Sequence, residues 1–202
     1  MADDLPGGDI PVIAIDGPSG SGKGMVTHVL ASRLGFHILD SGALYRLIGL
    51  TALKTGTDPG DEDRLATLGL AMDVRFEATD DPEEPLRVLL DNEDVTRRIR
   101  TDEAGVYASK IAPLPGVRES IRVLQRSFRR KPGLIADGRD MGTDVFADAE
   151  LKIYLTASVG ARAERRYKQL KDKDIDVSLA ALSESIAERD ARDMNRTVAP
   201  LR

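Results

Sequence analysis

The segment from Ile13 to Gly24 has residue types and a spacing suited to binding a nucleoside triphosphate. A short apolar run enters a glycine-rich turn that ends in Lys23, and a helical pattern follows at once. Glycines let successive backbone N–H groups face phosphate oxygens, and the start of a helix adds partial positive charge. Lys23 supplies a full charge for the β- and γ-phosphates. The alternative is a glycine turn in a βα unit without a ligand. The predicted ATP-binding residues are Gly17, Pro18, Ser19, Gly20, Ser21, Gly22, Lys23, Gly24 and Met25.

The end of this turn lacks the hydroxyl with which many phosphate-binding loops hold Mg²⁺. Position 24 is Gly and the next residue is Met25. Mg²⁺ keeps much of its water shell when it binds a protein. We therefore predict no dedicated metal site, with any Mg²⁺ held mainly through nucleotide phosphates and water.

Two further segments carry charged residues directly after predicted strands. Ser41 and Arg46 follow the second strand, and one interpretation is that both bind a phosphate or the acceptor of a reaction. The alternative is that Ser41 is a helix N-cap and Arg46 is a solvated surface residue. Asp137, Arg139 and Asp140 follow the third strand among glycines, a placement that favours a functional role.

Two arginine-rich segments lie in the second half of the chain. Arg189 and Asp193 share one face of a predicted helix with Arg196, a spacing that is alone typical of ion pairs on a surface. A second group consists of Arg162, Arg165 and Arg166. In a mobile lid this group would close over a triphosphate and neutralise transition-state charge, and otherwise it is a solvated helix face.

Alternating strand and helix patterns must position these residues. A parallel sheet follows from such alternation, and ligands of parallel sheets gather at the carboxyl ends of the strands. An alternating polar and apolar stretch at 72–96 predicts a small antiparallel insert. The predicted strands are Val12–Asp16, Phe36–Leu39, Leu134–Ala136 and Leu151–Leu155, and the predicted helices are Lys23–Leu34, Ala43–Lys54, 63–71, 102–111, 115–130, Ala161–Leu170 and Leu179–Met194.

Composition excludes several classes of protein. The chain of 202 residues suffices for one compact α/β domain with subdomains. It has no apolar run of about 20 residues, no N-terminal signal pattern and no cysteine, which fits a cytoplasmic protein that has no membrane partner. Its two histidines, His28 and His37, exclude a histidine-rich metal cluster. The net charge of −5 argues against general nucleic-acid binding.

Four strings of residues together resemble the bacterial cytidylate kinase family of P-loop nucleoside monophosphate kinases. They are Gly-Pro-Ser-Gly-Ser-Gly-Lys-Gly, Asp-Ser-Gly-Ala-Leu-Tyr-Arg, Ile-Ala-Asp-Gly-Arg-Asp-Met-Gly-Thr and Arg-Asp-Ala-Arg-Asp-Met-Asn-Arg. The similarity runs from about Pro11 to the C-terminal end, and the third string is the most discriminating. The resemblance implies the P-loop NTPase fold and transfer of the ATP γ-phosphate to CMP or dCMP with Mg²⁺.

The resemblance also implies roles for individual residues. Lys23, Arg139, Arg162, Arg165 and Arg166 would be catalytic through charge neutralisation. The residues that would face the acceptor nucleotide are Ser41, Arg46, Ser109, Arg118, Asp137, Arg139, Asp140, Arg189, Asp193 and Arg196.

Within the acceptor group, the resemblance assigns parts of the nucleotide to particular side chains. Arg46, Arg139 and Arg196 suit the α-phosphate, and Arg189 and Asp193 suit the sugar hydroxyls. Asp140 would accept a hydrogen bond from the cytosine amino group, while Ser109 and Arg118 would donate to the ring acceptors. UMP is then disfavoured.

The resemblance implies a division of the chain into regions. Residues 1–10 are expected to be disordered because they are polar and glycine-rich, and 11–202 are expected to form the kinase domain. Its core comprises 11–40, 132–160 and 179–202, with an acceptor-binding region at about 41–131 and a lid at about 161–178. We expect a monomer.

The chain departs from the family pattern in two places. The family has Thr where this chain has Met25, and its members continue beyond Arg202 with another core strand and helix. A truncated product and an incompletely represented chain are both compatible with the second departure. The rival functions are a P-loop kinase for UMP or AMP and a nucleotide-binding domain with impaired catalysis.

Overall fold

A computed structural model describes residues 10–79, 81, 84–172, 174–195 and 198–201, with only the backbone of Asp102. The predicted disorder of 1–10 falls almost entirely outside this range. The strands are β1 Val12–Asp16, β2 His37–Asp40, β3 Val74–Ala78, β4 Leu86–Leu90, β5 Glu93–Asp94, β6 Leu134–Gly138 and β7 Leu151–Tyr154. The helices are α1 Lys23–Leu34, α2 Ser41–Thr55, α3 Glu62–Ala71, α4 Asp102–Ile111, α5 Pro115–Ser127, α6 Val159–Lys171 and α7 Leu179–Asn195.

Four parallel strands form the main sheet in the order β2-β6-β1-β7. In register, Asp16 of β1 pairs with Gly138 of β6, and Asp40 of β2 pairs with Asp137. The carboxyl ends of the three strands therefore coincide at one edge. This arrangement brings the phosphate-binding loop and the two charged segments after β2 and β6 together.

The antiparallel sheet β3-β4-β5 confirms the predicted insert. Val74 pairs with Leu90, and the hairpin continues through Leu89 opposite Asp94. Together with the parallel sheet and its flanking helices, the insert confirms the predicted α/β fold class.

Most of the hydrophobic core lies between the main sheet and the helices of the acceptor side. Buried Leu44, Leu47 and Ile48 of α2 pack in one cluster with Ile111 of α4 and Ile121 of α5. The other sheet face packs against α1 through a smaller cluster that contains Ile15 and Ile135. None of the described helices is both long and apolar enough to cross a membrane.

Three details of the backbone differ from the sequence prediction. Asp40, rather than Ser41, caps α2, because its carboxylate accepts a hydrogen bond from Ala43 N at 3.0 Å. Helix α5 ends at Ser127 instead of residue 130. A short π-helical turn, Met141–Val145, follows β6 where the sequence pattern predicted only charged loop residues.

Candidate active site

A cleft of about 790 Å³ opens at the carboxyl edge of the main sheet. Its walls come from the loop before α1, the start of α2, the end of β6, and helices α6 and α7. The residues that line the cleft include seven arginines and three aspartates. The residues are Ser19, Gly20, Gly22, Lys23, Gly24, Met25, Asp40, Gly42, Ala43, Arg46, Arg100, Asp137, Arg139, Arg162, Arg165, Arg166, Gln169, Leu182, Ser185, Ile186, Arg189 and Asp190.

The glycine-rich loop between β1 and α1 forms one wall of the cleft. Gly20 and Gly22 have φ values of +75° and +105°, which side chains other than glycine rarely tolerate. Gly17, at φ +148°, approaches the backbone of Leu155 so closely that a Cβ would overlap its carbonyl oxygen. The predicted phosphate-binding loop therefore has the backbone that its glycines imply.

Lys23 lies buried at the base of the loop. Its Nζ donates to the carbonyl oxygen of Pro18 at 2.9 Å and lies 3.9 Å from Asp137 Oδ1. Burial and then the nearby charge of Arg139 lower the pKa of Lys23 to about 8, against the opposite effects of Asp137, Asp40 and Asp16. The lysine amine thus has one backbone carbonyl partner and one carboxylate nearby, at the base of the predicted phosphate-binding loop.

Asp137 faces Lys23 across the floor of the cleft. Burial raises the pKa of its carboxyl to about 7, although the charge of Lys23 pulls in the opposite direction. Burial therefore disfavours the charged form of both the lysine amine and the carboxyl group at the place where phosphate oxygens would enter. Strongly shifted groups in a cleft are a common mark of functional sites.

Helix α6 lies against the phosphate-binding loop through two arginines. Arg162 donates to Ser19 O at 2.9 Å and forms a two-pronged pair with buried Asp190 of α7. Arg165 donates to Gly20 O. The structure thus brings Arg162 and Arg165 of the predicted lid against the glycine-rich loop, and it gives Arg162 an ion pair with Asp190 that the sequence pattern did not indicate.

Arg46, Arg139 and Arg189 line the acceptor side of the cleft. Arg46 donates to Ile99 O at 2.8 Å, and Arg139 donates through Nε to Asp193 at 2.9 Å. Burial, then the charges of Arg139 and Arg46, lower the pKa of Arg189 to about 10. Mutually repelling guanidinium groups of this kind would be stabilised by an anion between them. Arg196, predicted to join them, lies outside the described residues.

A second group of predicted residues lies behind the cleft wall rather than on it. Arg118 of α5 contacts Asp140, and both side chains are buried. Ser41 on α2 is also buried and accepts a hydrogen bond from Gln125 Nε2 at 2.9 Å. Burial alone would lower the pKa of Arg118, but Tyr45 and Asp140 outweigh it and raise the pKa.

Several buried polar atoms at these positions have no hydrogen-bond partner among the described residues. Six such side-chain atoms occur, and four belong to predicted nucleotide-binding residues. These four are Ser21 Oγ, Ser109 Oγ, Arg118 Nε and Arg189 Nε. Because an unsatisfied buried polar group costs about 1–3 kcal/mol, the pattern indicates a missing polar ligand.

The π-helical turn 141–145 is tied to the strand that precedes the phosphate-binding loop. The Asp16 carboxylate accepts from Met141 N at 2.9 Å and Gly142 N at 2.8 Å. Burial raises the pKa of Asp16 even though these two backbone hydrogen bonds lower it. Sequence analysis missed this role, because a carboxylate at the end of a strand gives no sign of its distant backbone partners.

Two carboxylates on the cleft suit a hydrated Mg²⁺ ion. Asp40 and Asp137 both line the cleft beside Lys23. Among the described residues no group of three or more potential metal-binding side chains of histidine, cysteine, aspartate or glutamate occurs. Met25, 57% exposed, offers no hydroxyl. This donor set fits an ion held by substrate phosphates and water with one or two carboxylates.

Sequence analysis also missed several residues that line the cleft. Arg100 lies on a 3₁₀ turn, Arg98–Arg100, and Asp190 and Gln169 come from α7 and α6. Arg100 lies between the predicted insert at 72–96 and the predicted helix at 102–111, so no motif included it. Arg100 is distant in sequence from the other predicted phosphate-binding residues, and only the folding of the chain brings it to the cleft.

Comparisons with known proteins agree with the geometry. The sequence model described as cytidylate kinase matches residues 13–202. The chain is 54% identical to a protein named cytidylate kinase from Pseudomonas paraeruginosa (strain DSM 24068 / PA7), over 96% of this chain and 84% of that protein. It is 54% identical to the cytidylate kinase of Aeromonas salmonicida (strain A449), over 95% of this chain and 82% of that protein.

One solved structure is more distantly similar. The crystal structure of TT1252 from Thermus thermophilus is 20% identical and has a TM-score of 0.44, over 93% of this chain and 82% of that chain. A similarity of this size supports no argument about the site. The sequence match over nearly the whole chain and the phosphate-binding loop at the sheet edge lead to one conclusion: the protein belongs to the cytidylate kinase family.

Proposed function

We propose that this protein transfers the γ-phosphate of ATP to CMP or dCMP, giving CDP or dCDP. The observation that best supports this function is the set of buried polar atoms without partners, because it coincides with residues of both the donor and the acceptor side. Ser21 lies in the phosphate-binding loop, whereas Ser109, Arg118 and Arg189 lie on acceptor elements. ATP on the donor side and the acceptor nucleotide on the other side would together supply partners for all four atoms.

Catalysis in this proposal consists of alignment and charge neutralisation. The acceptor phosphate oxygen is already an anion, so no side chain needs to remove a proton. The loop amides and Lys23 would hold the triphosphate, while Arg46 and Arg139 would draw the acceptor phosphate toward it. Arg162, Arg165 and Arg166 would stabilise the charge that develops on the transferring group.

Exclusion of water separates phosphoryl transfer from ATP hydrolysis in this scheme. Helix α6 already contacts the loop through Arg162 and Arg165. We propose that residues about 161–178 act as a lid over the bound triphosphate. We also propose a division of the rest of the domain into a core and an acceptor-binding region. The core comprises 11–40, 132–160 and 179–202, and the acceptor-binding region comprises about 41–131.

The choice of acceptor base would depend on Asp140, Arg118 and Ser109. Arg118 Nε and Ser109 Oγ can each donate one more hydrogen bond, which suits the two ring acceptors of cytosine. The Asp140 carboxylate would accept from the amino group. UMP has an oxygen at that position, so a carboxylate would face a second acceptor at a cost of about 1–3 kcal/mol.

Asp40 and Asp137 would hold Mg²⁺ through its water shell, and the bound ion would neutralise part of the triphosphate charge.

We further propose that the protein acts as a monomer in the cytoplasm, without a nucleic-acid or membrane partner. The net charge of −5 supports free nucleotides rather than nucleic acid as substrates.

A coupled assay of ADP release tests the proposed function. ATP and Mg²⁺ are offered with CMP, dCMP, UMP, AMP or no acceptor. We expect rapid ADP release with CMP and dCMP and little with the other three conditions. Turnover with UMP or AMP in preference to CMP would refute the assigned base pocket, and absence of turnover with every acceptor would refute catalysis.

A further inference from the structure

An ion pair that neither the motifs nor the cleft includes lies directly behind the proposed base pocket. Asp144, on the π-helical turn, accepts from Arg118 Nη2 at 3.1 Å. Arg122, one turn after Arg118 on α5, donates to both oxygens of the same carboxylate at 3.1 and 3.0 Å. The Asp144 side chain is 28% exposed and that of Arg122 is 27% exposed.

These contacts make one network in which Arg118 and Arg122 share Asp140 and Asp144, and the exposed Glu119 pairs, among the described residues, only with Arg122, at 3.4 Å. Arg118 uses the same nitrogen, Nη2, for Asp140 and for Asp144. Asp140 and Asp144 therefore both attract the same end of the Arg118 guanidinium. Arg122 weakens the attraction from Asp144, because it partly neutralises the charge of that carboxylate. The position of the Arg118 guanidinium depends on this balance, because a buried charge moves toward an unpaired opposite charge.

The backbone couples the same residues. Asp140 directly precedes the π-helical turn and Asp144 lies within it, and Asp144 N and Val145 N both donate to Asp140 O, at 2.9 and 3.1 Å. A shift of Asp144 is thereby transmitted to the residue that carries the proposed acceptor of the cytosine amino group. Helix α5, which holds both arginines, fixes the opposite side of the network.

We infer that Arg122 and Asp144 are positioning residues that set the preference for cytosine over uracil by holding Arg118 and Asp140 in balance. This inference rests on the proposed function. Neither residue touches the acceptor. Removal of the Asp144 charge draws Arg118 toward Asp140, and removal of the Arg122 charge draws Arg118 toward Asp144 and away from Asp140. Removal of both charges restores the balance.

The test compares kcat/KM for CMP and for UMP in the full chain. The variants are Asp144→Asn, Arg122→Met and the double variant, each close in shape to the original side chain. Glu119→Gln is the matched control, because Glu119 is 71% exposed and bonds Arg122 without touching Arg118. Thermal unfolding and KM for ATP are measured in parallel.

We expect each single variant to lower the ratio of CMP to UMP efficiency roughly three- to tenfold, mainly through KM for CMP. The double variant should recover most of the ratio, and Glu119→Gln should keep it. A purely structural role would lower both efficiencies together and leave the ratio unchanged, which would overturn the inference.

The two proposals fail in different ways. If the unmodified protein does not prefer CMP to UMP, the proposed function is wrong. If it prefers CMP but Asp144→Asn and Arg122→Met both keep that preference, the proposed function stands and the positioning role is wrong. A double variant that is worse than either single variant would also contradict the charge balance.

Discussion

Lys23 and Asp137 form a buried pair whose two charges titrate in the neutral range. The pKa of Lys23 falls to about 8 and that of Asp137 rises to about 7, in both groups chiefly through burial. The lysine must carry its proton to attract a triphosphate. Deprotonation of the free enzyme therefore removes a phosphate ligand before ATP arrives.

We expect kcat/KM for ATP to fall as the pH rises above about 8, because this parameter reports the free enzyme. The variant Asp137→Asn removes a charge that raises the pKa of Lys23, so the fall should begin at lower pH. Rate measurements from pH 6 to about 10 check this. A profile that stays flat to the top of that range, or that does not move in the variant, would contradict the role of the pair.

The folded state should respond to the same groups in a defined direction. Asp137 has a raised pKa in the folded protein, so its contribution to stability is complete below the ordinary pKa of 3.8 and is lost as the pH rises through about 7. Lys23 has a lowered pKa, so its charged form opposes folding below about pH 8, and this penalty disappears progressively as the pH rises from about 8 to the ordinary pKa of 10.5. Both shifts make the region near neutral pH the least favourable for this pair, as expected of a site built for a ligand.

Asp16 is the residue that joins the phosphate-binding loop to the acceptor side. Its carboxylate accepts from two backbone N–H groups of the π-helical turn, while the next residue, Gly17, begins the loop. An asparagine can accept only one of these hydrogen bonds and points its amide N–H₂ group at the other donor.

For Asp16→Asn we therefore expect a loss of about 1–3 kcal/mol in the free energy of unfolding, together with a higher KM for CMP. Chemical denaturation and steady-state kinetics measure the two effects. Asp148→Asn is the control, since Asp148 is 68% exposed and its pair with Arg129 should contribute at most about 1 kcal/mol. Equal effects of the two substitutions would show that Asp16 does not hold the turn.

At the scale of elements, one buried ion pair connects α6, α7 and the phosphate-binding loop. Arg162 of α6 pairs with Asp190 of α7 and also donates to Ser19 O in the loop. Both side chains are buried. The position of α6 over the triphosphate side therefore depends on a residue of α7.

The substitution Asp190→Ala leaves the buried Arg162 without its carboxylate partner, and we expect it to cost about 3–5 kcal/mol in the free energy of unfolding. Urea denaturation measures this loss. Glu188→Gln serves as a comparison on the same helix, because Glu188 forms only an exposed pair with Arg192 at 3.8 Å and should lose less than about 1 kcal/mol. A small effect of Asp190→Ala would show that the backbone carbonyls alone satisfy Arg162.

Elements with a strong local pattern were predictable from the sequence. Strand β1 and helix α1 have the predicted bounds, because an apolar run, a glycine turn and a terminal Gly35 each act over a few residues. The Met141–Val145 turn was not predictable, since its π-helical form depends on the distant carboxylate of Asp16. The capping role of Asp40 was not predictable, because Ser41 is an equally good N-cap by residue type. In the structure the hydroxyl of Ser41 instead accepts a hydrogen bond from Gln125.

The candidate site was predictable to the same degree. The motifs identified the loop, Lys23 and the charged residues that follow β2 and β6, because each lies at a strand end. They gave no sign of the Arg122–Asp144 pair or of Arg100 at the cleft, which only tertiary packing brings into place.

At the scale of the whole molecule, the distribution of charge differs from the net charge. The chain carries −5 overall, yet the cleft is lined by seven arginines and one lysine against three aspartates. An anionic nucleotide thus meets a local positive field on a negative protein. Such a field attracts substrate and loses strength as salt screens it.

We expect KM for ATP and for CMP to rise several-fold between about 0.02 and 0.5 M KCl, with a smaller change in kcat. Initial rates at constant free Mg²⁺ measure this dependence. Constant KM values over the same range would show that the arginines are neutralised before substrate binds.

Transfer of a phosphoryl group from ATP to CMP or dCMP is the function that we propose for this molecule. The most direct measurement follows radioactive γ-phosphate from ATP, with CMP, dCMP, UMP and AMP present together at equal concentration. We expect label in CDP and dCDP within the first turnovers and very little in UDP, in ADP formed from AMP, or in free phosphate. Label in free phosphate alone, or predominantly in UDP, would contradict it.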